Sequence, residues 1–174
     1  MRESTVTPTG VERFFPDDEI IVSKTDLKGH ITYANHTFLT IAGYTEEEIL
    51  GQPHSIIRHP DMPRCVFKLL WDTIEARREI FAYVLNMAKN GDHYWVFAHV
   101  TPTFDQTDEI IGYHSSRRVP DRKKVDLFAE VYSQLLAEER RHADWRAGME
   151  SAGKILMDTI SAKGMDYEEF VFSV

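Results

Sequence analysis

The amino-acid sequence predicts an α+β fold, in which a five-stranded antiparallel sheet carries helices on one face and is followed by C-terminal helices. Before residue 120, five short apolar or alternating segments are bounded by turn residues, a pattern typical of strands. Residues 36–79, between the second and third segments, have helical character instead. After Pro120 the apolar residues recur only at spacings of three and four, which indicates amphipathic helices. With 174 residues, the chain is long enough for one well-packed core and an appendage.

The predicted strands follow one another in a simple order. In chain order they are EIIVSKTD, HITYAN, IFAYVLNMA, HYWVFAHVTP and EIIGYHSSRR. The third and fourth are separated by KNGD at 89–92, whose Asn-Gly pair adopts positive φ easily and therefore predicts a two-residue hairpin. We expect the last three strands to form an antiparallel meander.

Helix signals fill the remaining segments. Thr45 and Glu48 have the spacing of a capping box at the start of TEEEIL, and PRCVFKLLWDTIEARRE predicts a longer helix. Two amphipathic helices follow residue 120, the first with Phe128, Val131, Tyr132, Leu135 and Leu136 on its apolar face and the second with Trp145, Met149, Ala152, Leu156 and Ile160. Gly164 is expected to end the second helix, and the apolar tail MDYEEFVFSV needs a surface to cover it.

Composition argues against several classes of function. The net charge of -8, the pI near 5.5 and the lack of a long basic stripe argue against nucleic-acid binding. The first residues lack the apolar core of a signal peptide, and no stretch approaches the roughly 20 apolar residues of a membrane helix, so we expect a cytoplasmic protein without direct membrane insertion. Cys65 is the only cysteine, which excludes an intrachain disulfide and multi-cysteine metal sites. Catalytic motifs and HExxH are absent, so we expect neither an enzyme nor a metal protein.

The third and fourth predicted strands each have one face of smaller side chains. Because strand side chains alternate, the smaller faces consist of Ala82, Val84, Asn86 and Ala88 and of Tyr94, Val96, Ala98 and Val100. Such a surface with a single amide leaves a concave volume under the helices, suited to a flat cofactor. The alternative is a filled core in which Asn86 bonds to the backbone.

A second candidate site lies in IIRHPDMPR, residues 56–64, where three polar side chains stand between prolines. Arg58 carries a planar guanidinium, and the flanking prolines limit the entropy that the loop would lose on binding a ligand. The alternative is a capping loop, in which Asp61 caps the helix that begins near Pro63 and Arg58 lies in solvent.

The segment TDLKGHITYANHTFLTIAGYTEEEILGQPHSIIRHPDMP, followed by LLWDTI and KNGDHYWVFAHVTP, closely resembles the PAS domain of bacterial aerotaxis receptors. GQPH, RHPDMP and NGDHYWV are its most specific parts. The resemblance implies a PAS fold, with residues 1–16 as an N-terminal cap segment, 17–120 as the PAS sensor domain and 121–174 as a C-terminal helical extension. The whole chain, including DYEEFVFSV, also resembles free-standing PAS proteins of two-part energy-taxis systems, whose partner is a membrane chemoreceptor subunit.

Aerotaxis PAS domains bind flavin adenine dinucleotide (FAD), so the resemblance implies a non-covalent FAD site. The residues it implicates are Arg58, His59, Asp61, Asn35, Trp71, Asn86, Tyr94 and His114. In such a site Arg58 can supply its planar guanidinium to the phosphates, Asp61 could orient Arg58 or accept from a ribose hydroxyl, and His59 could contact a phosphate or a ring. Asn86 stands where flavin-binding PAS domains commonly carry an asparagine, and His114 where light-sensing ones often have a signalling glutamine. His54 occupies the place of the photosensors' reactive cysteine, whereas Cys65 falls inside the next helix, so covalent photochemistry is not expected.

The opposite, bulky face of the sheet must also be covered. It carries Phe81, Tyr83, Leu85, Trp95 and Phe97. The N-terminal VERFF, the two C-terminal helices or a second protomer could cover it, and we expect the helices to lie partly on this face and partly in a homodimer. Two other functions stay open, a cofactor-free PAS adaptor and a haem-binding gas sensor with His59 or His114 as ligand.

Overall fold

The structure, a computed structural model, describes residues 6–173. The first five residues of the predicted cap segment lie outside the described part of the chain. The elements in order are β1 Ile21–Thr25, β2 Ile31–Ala34, α1 His36–Ala42, α2 Glu46–Ile49, a 3-10 helix His54–Ile57, α3 Arg64–Glu75, β3 Ile80–Met87, β4 His93–Phe104, β5 Ile110–Arg118, α4 Arg122–Arg141, α5 Trp145–Ala162 and α6 Tyr167–Ser173. All five predicted strands are confirmed, as are the helices of the central and C-terminal segments.

The five strands form one antiparallel sheet in the order β2-β1-β5-β4-β3, which confirms the predicted meander of β3, β4 and β5. The hairpin between β3 and β4 differs from the prediction. The Ala88 N–H donates to the Asp92 carbonyl at 2.7 Å, so three residues form the loop rather than two. Gly91 alone takes a positive φ, 94°, while Lys89 and Asn90 stay in ordinary turn conformations. The glycine thus sits at the bulge of a three-residue loop.

Two caps fix the helices on the inner side of the sheet. The capping box at α2 is confirmed, since the Thr45 hydroxyl accepts from the Glu48 N–H and the Glu48 carboxylate accepts from the Thr45 N–H. Asn35 caps α1 and also joins that helix to β1, because its Oδ1 accepts from the N–H groups of both Phe38 and Val22. The inner helices are therefore held to the sheet at their starts.

The bulky outer face of β3 and β4 is covered by the chain's own C-terminal helices. On α4, the Phe128 ring stacks on Tyr83 at 4.4 Å, and the Tyr132 hydroxyl donates to the Tyr83 carbonyl at 2.6 Å. On α6, Phe172 meets Phe81 at 4.8 Å. The expectation that the two C-terminal helices lie partly on this face is confirmed for α4, whereas α5 packs mainly on α4 and α3. The tail segment supplies α6, which covers the rest.

The helix α5 packs on α4 and α3 and ends as predicted before Gly164, whose φ is 72°. Its turn with α4 is tight at Gly148, where a Cβ would lie 2.5 Å from the Glu139 carbonyl oxygen. None of the helices between residues 6 and 173 combines the length and apolar character that crossing a membrane requires.

Candidate functional site

A cavity of about 340 Å³ lies between the inner sheet face and the segment formed by the 3-10 helix and α3. Its sheet wall consists of Ser23, Thr25, Val84, Asn86, Ala98, Val100, Ser115 and Arg117. The facing wall is formed by Ile57, Phe67, Leu70, Trp71 and Ile74. The concave volume predicted over the small face of β3 and β4 is thereby confirmed, and its size falls near the low end of small-molecule sites.

One end of the cavity opens to solvent beside the turn between β1 and β2. The lining residues Lys28, Pro53 and Ser55 are exposed there. Gly29, with φ 80°, lets this turn approach α3, because a Cβ on Gly29 would lie 3.1 Å from the Trp71 ring. Trp71 in turn meets Tyr113 edge-on at 5.4 Å. The indole predicted as a site residue thus stands between the mouth and the interior.

Arg58 lines the cavity and is held in a fixed orientation. Its guanidinium lies over the Phe67 ring, 3.8 Å from the ring centre, and its backbone pairs with Asn86 at the end of β3. Burial lowers the pKa of Arg58 to about 10, assisted by the nearby Arg64, so the side chain is charged at neutral pH. The structure therefore brings two predicted residues, Arg58 and Asn86, side by side on the cavity, and Arg58 does not lie in solvent as the capping-loop alternative had it.

His59 and Asp61 do not line the cavity. His59 is buried, and its Nδ1 accepts from the Asp61 N–H at 3.1 Å, a hydrogen bond within the loop that stabilises its conformation. The Asp61 carboxylate is exposed and pairs with Arg140 at 3.3 Å. Nor does Asp61 cap α3, because the N–H groups of Arg64 and Cys65 donate to Glu139 of α4 instead, at 3.1 and 2.9 Å. The capping part of that alternative is therefore wrong as well.

Two further predicted residues also lie away from the cavity lining. Asn35 is occupied as the cap of α1, where its Nδ2 donates to the Ile20 carbonyl at 2.7 Å. Tyr94, opposite Asn86 in the sheet, is fully buried, and its hydroxyl finds no hydrogen-bond partner within residues 6–173. Their predicted contact with a cofactor remains a prediction.

The fifth strand presents Arg117 to the cavity more deeply than His114. His114 borders the cavity but pairs with Lys24 and Thr101. Its pKa is lowered by burial and, to a smaller extent, by the charges of Lys24, His99 and Arg117. Because side chains alternate along a strand, Ser115 and Arg117 share the inner face.

Arg117, Ser23 and His54 form a polar chain at the inner end of the cavity. The Arg117 Nη2 donates to the Ser23 hydroxyl at 2.5 Å, and that hydroxyl lies 3.0 Å from His54 Nε2. Burial, together with the charge of Arg117, lowers the pKa of His54 to about 3, so the imidazole is neutral at physiological pH. The Arg117 Nε and Nη1 have no hydrogen-bond partner in the described part of the chain.

Arg117 is thus a buried cation that forms no ion pair with a carboxylate among residues 6–173. Only 2% of the residue is exposed, and burial lowers its pKa to about 10. Its guanidinium also faces the Phe38 ring at 4.5 Å. A charge held in this way is unfavourable unless a ligand supplies hydrogen-bond acceptors or negative charge. The arrangement therefore favours a ligand with an electronegative edge.

Comparison with known proteins identifies the family. The profile of the PAS fold matches residues 31–117. The chain belongs to the PAS family. Over 121 residues it is 40% identical to the aerotaxis receptor of Escherichia coli (strain K12), a match that covers 70% of this chain and 24% of the receptor. The predicted resemblance to aerotaxis-receptor PAS domains is thereby confirmed.

One further protein sequence and one solved structure are similar to this PAS domain. The nitrogen fixation regulatory protein of Klebsiella pneumoniae is 28% identical over 99 residues, which cover 57% of this chain and 20% of that protein. The light-state structure of the blue-light photoreceptor Aureochrome1 LOV superposes with a TM-score of 0.57 at 24% identity, covering 63% of this chain and 88% of that one. The chain thus spans about a quarter or less of these two curated relatives, and the photoreceptor shows the same fold.

Cys65 lies apart from the cavity of this PAS domain, in the first turn of α3 as predicted. Burial raises the pKa of its thiol to about 12, and its Cβ faces Gly153 of α5. Such a thiol is a poor nucleophile. Across residues 6–173, no three His, Cys, Asp or Glu side chains converge in a way that could hold a metal ion.

The sequence-based reasoning missed Arg117, Ser23 and the inward orientation of His54. A signal for Arg117 was present in IIGYHSSRR, because strict alternation from Tyr113 places Ser115 and Arg117 on one face. An arginine next to another arginine at a strand end is usually solvated, which is why the pattern did not stand out.

Proposed function

We propose that this PAS domain binds FAD non-covalently and serves as a cytoplasmic redox or energy sensor rather than an enzyme. The observation that carries the proposal is Arg117, a buried, uncompensated guanidinium at the inner end of a cavity with apolar walls. The similarity to the aerotaxis receptor supports the choice of flavin and of aerotaxis-type signalling.

The cavity residues fit the head of a flavin. Val84, Ala98 and Val100 give a flat apolar floor on the sheet, and Trp71 stands on the other side. Arg117 and Asn86 then provide hydrogen-bonding groups for the polar edge of the ring. A flavin supplies electron transfer, and its charge and hydrogen-bonding pattern change when it is reduced.

The remainder of FAD would extend through the mouth. A cavity of about 340 Å³ is small for a whole dinucleotide, so part of the dinucleotide must lie outside the cavity. Besides Arg117, the arginine and lysine side chains that line the cavity are those of Arg58 and Lys28, and Arg58 is held on Phe67 with little freedom to lose. These two residues are our proposed phosphate ligands.

The signal is proposed to pass through the sheet. Asn86 and Arg117 face the cavity from β3 and β5. When the hydrogen-bonding groups of the ligand change, both strands are affected, and the same strands also form the outer face of the sheet. Only a difference in contacts between the two states can shift such an equilibrium. The recipient we propose is a membrane chemoreceptor-type signalling subunit.

A homodimer is proposed from the apolar side chains that the C-terminal helices leave exposed. Leu127, Ile155 and Met157 are 36%, 44% and 39% exposed on α4 and α5. The broad apolar stripes of these helices exceed what the intramolecular packing covers, which supports self-association.

Arg58→Ala tests the proposed orientation of the ligand. Loss of a charge-assisted hydrogen bond is expected to weaken FAD binding by roughly 10- to 100-fold, as measured by quenching of flavin fluorescence during titration of the apoprotein. Riboflavin, which has no phosphate, should bind both proteins alike. Arg78→Ala, at an exposed arginine that does not line the cavity, is the matched control. Unchanged FAD affinity would remove Arg58 from the site.

A further inference from the structure

Among the contacts between the C-terminal extension and α3, one caps the start of that helix. The Glu139 carboxylate of α4 accepts hydrogen bonds from the first two N–H groups of α3, those of Arg64 at 3.1 Å and Cys65 at 2.9 Å. The N-cap residue of α3, Pro63, provides no side-chain cap of its own. A side chain from a distant segment therefore satisfies the start of this helix.

The start of α3 is directly connected to Arg58. Residues 59–63 form the intervening loop, and Phe67, one turn into α3, is the ring over which the Arg58 guanidinium lies. The loop is also held to β3, because the Met62 sulfur accepts from the Leu85 N–H at 3.3 Å. Any movement of the first turn of α3 would thus shift both the loop and the ring that orient Arg58.

The backbone of Glu139 is itself held in place by the α4–α5 turn. A Cβ at Gly148 would lie 2.5 Å from the Glu139 carbonyl oxygen and 3.1 Å from its Cα, so only glycine permits this approach. Arg140, the next residue of α4, pairs with Asp61 at 3.3 Å, on the same loop. Adjacent residues of α4 thus contact the loop and the helix that follows it.

We propose that Glu139 is a positioning residue of the ligand site, which sets the orientation of Arg58 by fixing the first turn of α3. The inference rests on the proposed function and extends it to the α4–α5 hairpin, which lies outside residues 31–117 that match the PAS family. Since coupling is reciprocal, a phosphate-bearing ligand on Arg58 also stabilises the contact between α4 and α3.

The chain offers a matched control in the adjacent carboxylate. Glu138 bonds to Ser151, His142 and Arg141, all within the extension, and does not cap α3. Removal of Glu138 disturbs the hairpin and leaves the cap intact. Comparison of the two variants separates loss of the cap from general weakening of the extension.

The test is to titrate apoprotein variants with FAD and with riboflavin. For Glu139→Ala we expect FAD to bind roughly 3- to 30-fold more weakly, the range that corresponds to loss of a helix cap, while riboflavin affinity changes by less than about twofold. Glu139→Gln should show a milder selective loss than Glu139→Ala, because its single amide oxygen can accept from only one of the two N–H groups that the carboxylate caps. Glu138→Ala should match the wild type with both ligands.

Three outcomes would overturn the inference. They are wild-type FAD affinity in Glu139→Ala, an equal loss of FAD and riboflavin affinity, and the same FAD loss in Glu138→Ala. Glu139→Asp, which withdraws the carboxylate by one methylene, should show the selective loss in milder form and replaces the alanine variant if that does not fold. Failure of the wild type to bind any flavin would instead overturn the proposed function, and the inference with it.

Discussion

Arg117 is the residue whose environment most directly supports the proposed function. Its burial lowers the pKa of the guanidinium from 12.5 to about 10, which corresponds to about 3 kcal/mol against the charged form in the ligand-free protein. A ligand with acceptors at this place would recover part of that free energy. The charge at position 117 thus lowers the stability of the ligand-free protein and raises its affinity for the ligand.

The variant Arg117→Met tests both the effect on stability and the effect on ligand affinity. We expect the ligand-free variant to be more stable than the wild type by about 1–3 kcal/mol in urea denaturation, because an apolar side chain of similar length replaces a buried, unpaired charge. Flavin binding should be lost or strongly reduced in the same protein. Arg118→Met, at the exposed neighbouring arginine, is the control. A less stable Arg117→Met variant would show that the cation stabilises the apoprotein by itself.

His54 predicts a pH dependence of the stability. Its pKa is about 3 in the folded protein and 6.5 ordinarily. Between these pH values His54 is therefore protonated in the unfolded chain and neutral in the folded protein. The stabilisation is complete above pH 6.5 and is lost as the pH falls from 6.5 towards 3, at up to about 1.4 kcal/mol per pH unit. In His54→Gln that contribution to the slope should vanish.

This dependence is measured by urea denaturation at a series of pH values. His59 and His114 also have lowered pKa values, so a shallower acid slope should persist in the variant. Identical slopes in wild type and His54→Gln would show that burial and the charge of Arg117 do not hold His54 neutral.

At the level of single residues, the sequence was most informative where a polar side chain interrupted an otherwise apolar strand face. Asn86 stood out as one amide among small apolar residues, and the structure places it on the cavity. Arg117 was hidden because its burial depends on tertiary packing against Phe38 and Ser23, which local pattern does not encode. His114 borders the cavity, and its predicted contact with a cofactor stays a prediction.

At the level of elements, periodicity predicted the strands and helices well, whereas loops and caps depended on distant contacts. The KNGD loop is one residue longer than its Asn-Gly pair suggested, and the N-terminal segment packs so closely there that a Cβ on Gly91 would lie 2.3 Å from the Thr7 carbonyl oxygen. The cap of α3 could not be predicted at all, because Glu139 is more than seventy residues away in the chain. Alternation and helical spacing are local properties, and these contacts are not.

The contact at Gly148 predicts the effect of a small change on the hairpin. Gly148→Ala places a methyl group 2.5 Å from the Glu139 carbonyl oxygen, so α4 and α5 must separate. We expect a loss of about 1–3 kcal/mol in the free energy of unfolding, measured by thermal or urea denaturation. Gly153→Ala is the matched control on the same helix, since its Cβ would meet Cys65 at an ordinary 3.6 Å. Equal stability of the two variants would contradict the tight crossing.

At the level of the whole molecule, the two faces of the sheet have different tasks. The inner face holds the cavity, and the outer face of β3 and β4 is covered by α4 and α6 through the ring contacts of Tyr83 and Phe81. The sequence predicted both faces from the sizes of alternating side chains. It left open which segment covers the outer face, because any amphipathic helix could satisfy that requirement.

The most direct test of the account is the absorption spectrum of the wild-type protein purified from cells supplied with riboflavin, with the released cofactor identified by chromatography. We predict bands in the blue and near ultraviolet and the release of about one FAD per chain. A folded protein without colour, which stays colourless when FAD is added, would contradict the proposed function and favour a cofactor-free adaptor. A Soret band would instead indicate haem.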